Sequence, residues 1–208
     1  MKFWSMPMTA ANYRLVPEGS PTFSFKQVEA ILARAFGIAE GKRKTFAARL
    51  QQLQKLGLPK GTNTGRGTRA AYETWQLCEF QFYLDLLQAG VPPALVAARF
   101  ANSPFYTVDG WGRFAETMAA RGEAYYAHIR INALDHLTSE SETVPAVESP
   151  TYTEYSGGKD LAGVIRLAEG RPGVLLDLAK RMRSLKAAVA AEVPSVSDTP
   201  LFQHLAGE

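Results

Sequence analysis

The most regular pattern in the chain is a series of apolar residues at helical spacing that begins after residue 22. Ser24 stands just before it, and serine commonly caps a helix start because its hydroxyl can accept a hydrogen bond from a free backbone N–H. The apolar positions that follow are Phe25, Val28, Ile31, Leu32 and Ala35. Because residues three and four apart share one face of a helix, the pattern predicts a helix over residues 25–35.

A second helix is predicted over residues 42–56. Its apolar positions are Phe46, Leu50, Leu53 and Leu56, again at helical spacing. Gly37 provides the turn before this helix, since glycine tolerates the left-handed conformation that often ends a helix. Gly57 and Pro59 are expected to end it. The positions predicted to face solvent are mostly basic: Lys42, Arg43, Lys44, Arg49, Gln52 and Lys55.

Residues 60–69 form a glycine-rich stretch that also carries several positive charges. The sequence Lys-Gly-Thr-Asn-Thr-Gly-Arg-Gly-Thr-Arg has three glycines and no large apolar side chain. This composition is typical of a hairpin exposed to water. Tyr72 is then predicted to return the chain to the core.

Residues 74–89 are apolar on nearly every side, which predicts a helix buried in the middle of its domain. Asp85 is expected on the one solvated side of this helix, beside Gln81 and Gln88. After Gly90, a pair of prolines opens a further helix to about residue 100, because proline is well tolerated in a first turn.

The pattern weakens beyond residue 103. Alternating apolar and polar residues predict a half-buried strand over residues 124–131, and a short apolar run predicts another over residues 162–168. Residues 138–160 hold four Glu, two Pro and a Gly pair, which predicts a loose connection. A last helix is predicted over residues 173–192. Its apolar stripe, a candidate dimer contact or internal packing surface, consists of Leu175, Leu178, Met182, Leu185 and Val189.

These elements predict a mainly α protein in which a winged helix-turn-helix domain is followed by a small α+β region. The expected divisions are an irregular leader (1–22), the winged domain (23–103), a dimerisation or partner-binding region (104–193, with 138–160 flexible) and a tail (194–208).

Charged residues are distributed unevenly along the chain. Between residues 26 and 72 there are ten Lys and Arg against two acids, Glu29 and Glu40, which is a net charge of +8, whereas the rest of the chain carries −5. If this block were an ordinary solvated surface with alternating charge, it would need more acidic residues than these two. A basic block of this density favours contact with a phosphate backbone.

The predicted helix, turn, basic helix and hairpin together suit the reading of double-stranded DNA. A helix fits the major groove, and residues near its N-terminal end reach base edges. The candidate groove contacts are Lys42, Arg43, Lys44, Thr45, Arg49 and Gln52. The hairpin could lie along a neighbouring phosphate strand or enter the minor groove. Its candidate contact residues are Lys60, Asn63, Thr64, Arg66, Thr68 and Arg69.

Three segments together resemble the DNA-binding domain of MerR-family regulators. They are Leu56-Gly57-Leu58-Pro59, the Gly65-Arg66-Gly67-Thr68-Arg69 hairpin with Tyr72 behind it, and Gln88-Ala89-Gly90-Val91 before a proline. The resemblance covers about residues 25–100. It implies a recognition helix beginning at Lys42, phosphate contacts from Arg66 and Arg69, and a dimeric transcription regulator for which RNA polymerase is a further candidate partner. The family's long dimerisation helix has no counterpart directly after residue 100.

Two other functions remain open at the level of sequence. Excisionase-like proteins of mobile elements share the small winged domain, so the chain could bend DNA as an architectural factor. Alternatively, the basic face could bind an acidic protein. The glycine-rich hairpin lacks the Gly-Lys-Ser/Thr ending of a phosphate-binding nucleotide loop.

Few residues outside the basic block are candidates for catalysis or metal binding. The three histidines are isolated from cysteines and carboxylates at metal-ligand spacing, and Cys78 lies in an all-apolar helix that favours a structural thiol. We expect no cofactor, no metal and no enzymatic activity. The sequence also lacks any run near the roughly 18 apolar residues that span a bilayer, and its single cysteine suits a reducing compartment. These features predict a cytoplasmic protein, and the predicted DNA binding would make it nucleoid-associated.

Overall fold

The structure is a computed structural model that describes residues 21–59, 61, 71–100, 107–130, 152–155, 160–167, 173–197 and 201. The described chain is mainly helical, with two small antiparallel sheets. The helices are α1 (Phe25–Ala35), α2 (Arg43–Lys55), α3 (Thr74–Gln88), α4 (Pro93–Phe100), α5 (Thr107–Ala120), α6 (Leu161–Leu167) and α7 (Leu178–Glu192). The strands are β1 (Thr22–Ser24), β2 (Ala71–Glu73), β3 (Tyr126–Arg130), β4 (Tyr152–Tyr155) and β5 (Gly173–Asp177), and short 3₁₀ turns lie at Glu40–Lys42 and Pro194–Val196.

Helix α1 has the predicted bounds and the predicted cap. The Ser24 hydroxyl accepts from the Gln27 N–H at 3.3 Å, and the Gln27 side chain accepts from the Ser24 N–H at 2.9 Å, so two free donors of the first turn are satisfied. At the other end, Gly37 adopts a φ of +63° and the Ile38 N–H donates to the Ala33 carbonyl at 2.8 Å. This is the glycine-dependent helix ending expected from the sequence.

Helix α2 lies within one residue of its predicted bounds. Phe46, Leu50 and Leu53 are buried as the spacing predicts, and they pack into the common core. Leu56, the fourth member of the predicted stripe, is 36% exposed because it follows the last helical residue.

A two-stranded sheet joins the segment just before α1 to the segment after the predicted hairpin. Strands β1 and β2 are antiparallel, with Phe23 opposite Tyr72, and both aromatic side chains are buried. Tyr72 therefore does return the chain to the core. The hairpin itself lies outside the described residues, apart from Gly61.

Helix α3 is buried on nearly all sides, as predicted, but its polar residues do not lie where the sequence placed them. Asp85 and Gln81 were expected beside solvent; in the structure both are buried, and only Gln88 is exposed. Helix α7 covers this side of α3. Its Arg181 forms an ion pair with Asp85 at 2.7 Å, and the Arg181 carbonyl accepts from Gln81 at 3.0 Å.

The second sheet has the order β4-β3-β5 and is antiparallel throughout. Strand β3 confirms a strand within the predicted residues 124–131, with Ala127 and Ile129 buried as expected. The predicted alternation does not hold at His128, which lies between them and is buried as well. Strand β4 lies inside the segment 138–160 that was predicted to be a loose connection, so that prediction is wrong at residues 152–155.

Two predictions in the C-terminal half fail because an aspartate caps a helix. Residues 162–168, predicted to be a strand, lie mostly in α6, where Asp160 accepts from the Gly163 N–H at 2.7 Å. Residues 173–192, predicted to be one helix, divide into β5 and α7 at Asp177, which accepts from the Lys180 N–H at 2.9 Å. An aspartate that satisfies a free N–H of a first turn favours a helix start at that point.

The predicted stripe of the last helix packs within this chain. Leu175 lies on β5 and is partly exposed, whereas Leu178, Met182, Leu185 and Val189 are buried in the core that α7 shares with the other helices. Of the two alternatives considered for the stripe, the structure therefore favours internal packing over a dimer contact.

The core is continuous from Phe23 to Leu201, and α7 lies between the two halves of the chain. It packs against both α1 and α5. Buried Glu116 on α5 accepts from Lys186 on α7 at 2.8 Å and from the Leu201 N–H at 2.9 Å, so the predicted tail is anchored at Leu201.

The predicted boundary at residues 103 and 104 lies outside the described residues. Across the described ranges, no helix combines the length and apolar character needed to cross a membrane.

The carboxyl group of Asp85 should make stability depend on pH. Burial raises the pKa of Asp85 to about 7, despite the opposing charge of Arg181, from a usual value of 3.8. Because the folded state then holds this proton more tightly than the unfolded state, the contribution of Asp85 to the free energy of unfolding is greatest below about pH 4. It falls by on the order of 1 kcal/mol per pH unit as the pH rises towards 7.

Urea unfolding at pH 5, 6, 7 and 8 of wild type and the isosteric Asp85→Asn variant measures this contribution. We expect the free energy of unfolding of wild type, relative to the variant, to fall from pH 5 to pH 7 and then to level off. The same difference at every pH would mean that Asp85 does not titrate in this range.

Candidate nucleic-acid interface

One face of α2 is exposed along the whole helix. It consists of Lys44, Thr45, Ala48, Arg49, Gln51, Gln52 and Lys55, and we call it the α2 face. The buried positions Phe46, Leu50 and Leu53 occupy the opposite side, so the core fixes which side chains remain in water. Lys42, at the end of the preceding 3₁₀ turn, is exposed next to this face.

The α2 face carries positive charge without acidic side chains. Helix α2 contains no Asp or Glu. Of the two acids in the basic block, Glu40 is exposed in the 3₁₀ turn and Glu29 is largely buried against Arg43. The α2 face is therefore free of the alternating charge that is usual for a merely solvated helix surface.

Arg43 is held by α1. Its Nε donates to one Glu29 carboxylate oxygen at 2.6 Å and its Nη2 donates to the other at 3.2 Å. The Glu29 hydrogen bond, opposed by desolvation, raises the pKa of Arg43. A two-point Arg–carboxylate contact restricts orientation more than a single hydrogen bond does, so this pair fixes the first turn of α2 against α1.

Arg49 and Gln52 form a side-chain pair on the α2 face. The Arg49 Nη1 donates to the Gln52 Oε1 at 3.1 Å, across one helical turn. The contact reduces the number of conformations available to two long, exposed side chains. Both retain N–H groups that can donate to another molecule.

The C-terminal part of α2 is also held. The Gln54 side-chain amide donates to the Tyr72 hydroxyl, which connects α2 to the strand that follows the predicted hairpin. Burial raises the pKa of Tyr72, and the Gln54 hydrogen bond opposes this effect. Neither Glu29 nor Gln54 was among the residues predicted from the sequence to belong to the site. The only signal was that Glu29 is one of two acids in a basic block.

The structure brings five of the twelve sequence-predicted contact residues together on the α2 face or beside it: Lys42, Lys44, Thr45, Arg49 and Gln52. Arg43 lies at the same end of the helix but is engaged with Glu29. The remaining six lie outside the described residues: Lys60, Asn63, Thr64, Arg66, Thr68 and Arg69.

Metal chemistry and thiol chemistry have no support in the part of the chain that the structure describes. No group of three or more His, Cys, Asp or Glu residues there could hold a metal ion. Cys78 and His128 are both buried. The α2 face itself is a positively charged surface that carries several hydrogen-bond donors.

The different environments of Arg43 and Arg49 should appear in stability measurements. We expect Arg43→Ala to lower the free energy of unfolding by about 1–2 kcal/mol, because it leaves a largely buried carboxylate without its charged partner. Arg49→Ala, a matched change on the exposed side of the same helix, should alter it by less than about 0.5 kcal/mol. Chemical denaturation of both variants tests this, and equal losses would contradict the structural role of Arg43.

Comparisons with known proteins identify no relative of this chain. No protein-family model, no curated protein and no solved structure matches the chain.

Proposed function

We propose that the protein binds double-stranded DNA through the α2 face and acts as a sequence-specific transcription regulator. The observation that carries the proposal is an exposed helix face with basic and amide side chains, no acid, and both ends of the helix fixed to neighbouring elements. The predicted winged helix-turn-helix arrangement and the MerR-like resemblance belong to the same proposal.

Helix dimensions support this binding mode. An α-helix with its side chains is about 10–12 Å across, and the major groove of B-DNA is about 12 Å wide. Ala48 lies in the middle of the α2 face and would allow the helix backbone to approach the base edges closely. Lys44 and Lys55 lie about three turns apart along one edge of the α2 face and would lie near phosphates at its two ends.

Base reading is assigned to the Arg49–Gln52 pair. Arginine donates two hydrogen bonds to guanine, and glutamine pairs with adenine through an acceptor and a donor. Because these side chains already contact one another at 3.1 Å, less conformational entropy would be lost when both engage adjacent base pairs. Thr45, one turn earlier, would contact a neighbouring base.

The role of Arg43 in this proposal differs from the one expected from sequence. Its two hydrogen bonds to Glu29 make it a residue that orients α2 rather than a base reader. The hairpin residues Arg66 and Arg69 keep their proposed phosphate contacts, for which the sequence and the resemblance are the support.

A palindromic site would require two copies of the chain, because one chain offers one α2 face. The apolar stripe of α7 is used within the core, so a homodimer would have to form through another surface. RNA polymerase remains a proposed partner by resemblance alone.

The proposal is tested by selecting genomic fragments that bind the purified full-length chain at two salt concentrations. We expect a shared sequence motif and weaker binding at the higher salt, because cations displaced from the phosphates make binding salt-dependent. Enrichment without a motif would support the alternative of an architectural, DNA-bending factor. No enrichment at either salt would overturn DNA binding and favour an acidic protein partner for the basic face.

Two arginines should separate base reading from phosphate contact. Arg49→Ala should reduce discrimination between the selected site and a scrambled duplex by about 1–3 kcal/mol, the worth of a two-point base contact. Arg66→Ala should weaken binding to both duplexes alike. It should also reduce, by about one, the slope of the logarithm of the binding constant against the logarithm of the salt concentration. Titration of each variant against both duplexes at three salt concentrations measures the two effects, and a uniform loss from both variants would refute the division of roles.

A further inference from the structure

Helix α7, from the C-terminal half of the chain, reaches the turn that leads into α2. Its Arg181 guanidinium lies over the Phe36 ring, 5.5 Å from the ring centre. Phe36 is the first residue after α1, and its N–H donates to the Leu32 carbonyl at 2.9 Å. A residue far along the sequence therefore contacts the point at which the chain leaves α1.

Arg181 is itself anchored by α3. Its Nη2 lies 2.7 Å from a carboxylate oxygen of Asp85, whose side chain is 2% exposed, and its carbonyl accepts from the Gln81 side chain at 3.0 Å. The guanidinium is thus held between a buried carboxylate on one element and an aromatic ring on another. Since a guanidinium is planar and stacks on rings in a defined orientation, both contacts together restrict where Phe36 can lie.

The turn that contains Phe36 contributes, together with the Arg43–Glu29 pair, to the orientation of α2. From Phe36 the chain passes through the left-handed Gly37 and the short 3₁₀ turn before α2 begins at Arg43. A shift at the start of this connection would move the first turn of α2, which carries Lys44 and Thr45. Side-chain contacts to bases require correct geometry as well as charge, so such a shift would weaken binding without unfolding the protein.

We propose that Arg181 is a positioning residue for the α2 face: held by Asp85, it fixes Phe36 and thereby the orientation in which α2 meets a DNA duplex. The C-terminal half then contributes to DNA affinity through a contact that never touches DNA. This inference rests on the proposed function, since it concerns the affinity of the same face.

The matched control is Arg183, two residues along the same helix. Arg183 is also basic and exposed, but its guanidinium donates to the Glu123 carbonyl at 3.1 Å. Arg183→Met and Arg181→Met remove the same charge from α7. A difference between the two variants therefore cannot come from the general attraction between α7 and the phosphates.

The experiment measures the affinity of full-length variants for the best duplex selected by wild type, together with their melting temperatures. Phe36→Leu keeps an apolar side chain in the turn and leaves the Asp85–Arg181 ion pair intact, so it tests the contact even if Arg181→Met folds poorly. The double variant, which combines Arg181→Met with Phe36→Leu, completes a double-mutant cycle with the two single variants. Binding is measured at a temperature at which each variant is folded.

We expect Arg181→Met and Phe36→Leu each to weaken binding about threefold to tenfold, with a double variant no weaker than the poorer single variant, because the two residues act through one contact. Arg183→Met should change binding less than twofold, and Arg181→Lys, which keeps the charge, should recover part of the loss. Equal affinities of Arg181→Met and Arg183→Met, or additive losses in the cycle, would overturn the positioning role. Failure of wild type to bind any duplex is a separate result, because it rejects the proposed function and this inference together.

Discussion

The burial of α3 on nearly all sides is the constraint around which the other elements are arranged. A helix that is apolar on every face must be covered on every face. Among the described elements, α4, α5 and β2 pack against α3, and α7 contacts it through Arg181. The same burial encloses polar side chains that need partners inside the protein. Gln81 and Asp85 find theirs on α7, which ties the C-terminal half to the centre of the molecule.

Helix α2 differs from α3 because most of its surface is not buried. It is buried along one stripe only, and its remaining side chains depend on neighbours for orientation rather than for burial. The Glu29 contact at its start and the Tyr72 contact near its end restrain a helix that would otherwise be held by three apolar residues. A surface that must match a rigid partner gains affinity when its conformation is fixed before binding.

The sequence predicted the N-terminal half more closely than the C-terminal half, for a physical reason. Helices α1 and α2 have regular apolar spacing and clear glycine endings, so local signals agree with the final packing. Helix α5 was not predicted, since its buried positions include small residues such as Gly112, Ala115 and Ala119, which carry little apolar signal. At α6 and at β5 with α7, an aspartate cap decided the structure against an apolar pattern that suited another element.

Within the candidate site, residue type could be predicted but individual roles could not. The basic face of α2 follows from spacing alone, whereas the engagement of Arg43 depends on Glu29, which lies one helix away. Asp85 illustrates the same limit, because its surroundings are set by a helix nearly a hundred residues later. Contacts between distant segments leave no periodic trace in the sequence.

The anchoring of Leu201 bears on how the chain can be shortened or extended. Its backbone N–H donates to Glu116, a carboxylate that is almost fully enclosed and also receives Lys186. A chain cut after Glu192 would remove that donor and the apolar cover of Leu201 together, and would leave part of a negative charge poorly solvated inside α5. The end of α7 is therefore a poor point at which to truncate the chain, because the contact between Leu201 and Glu116 lies beyond it.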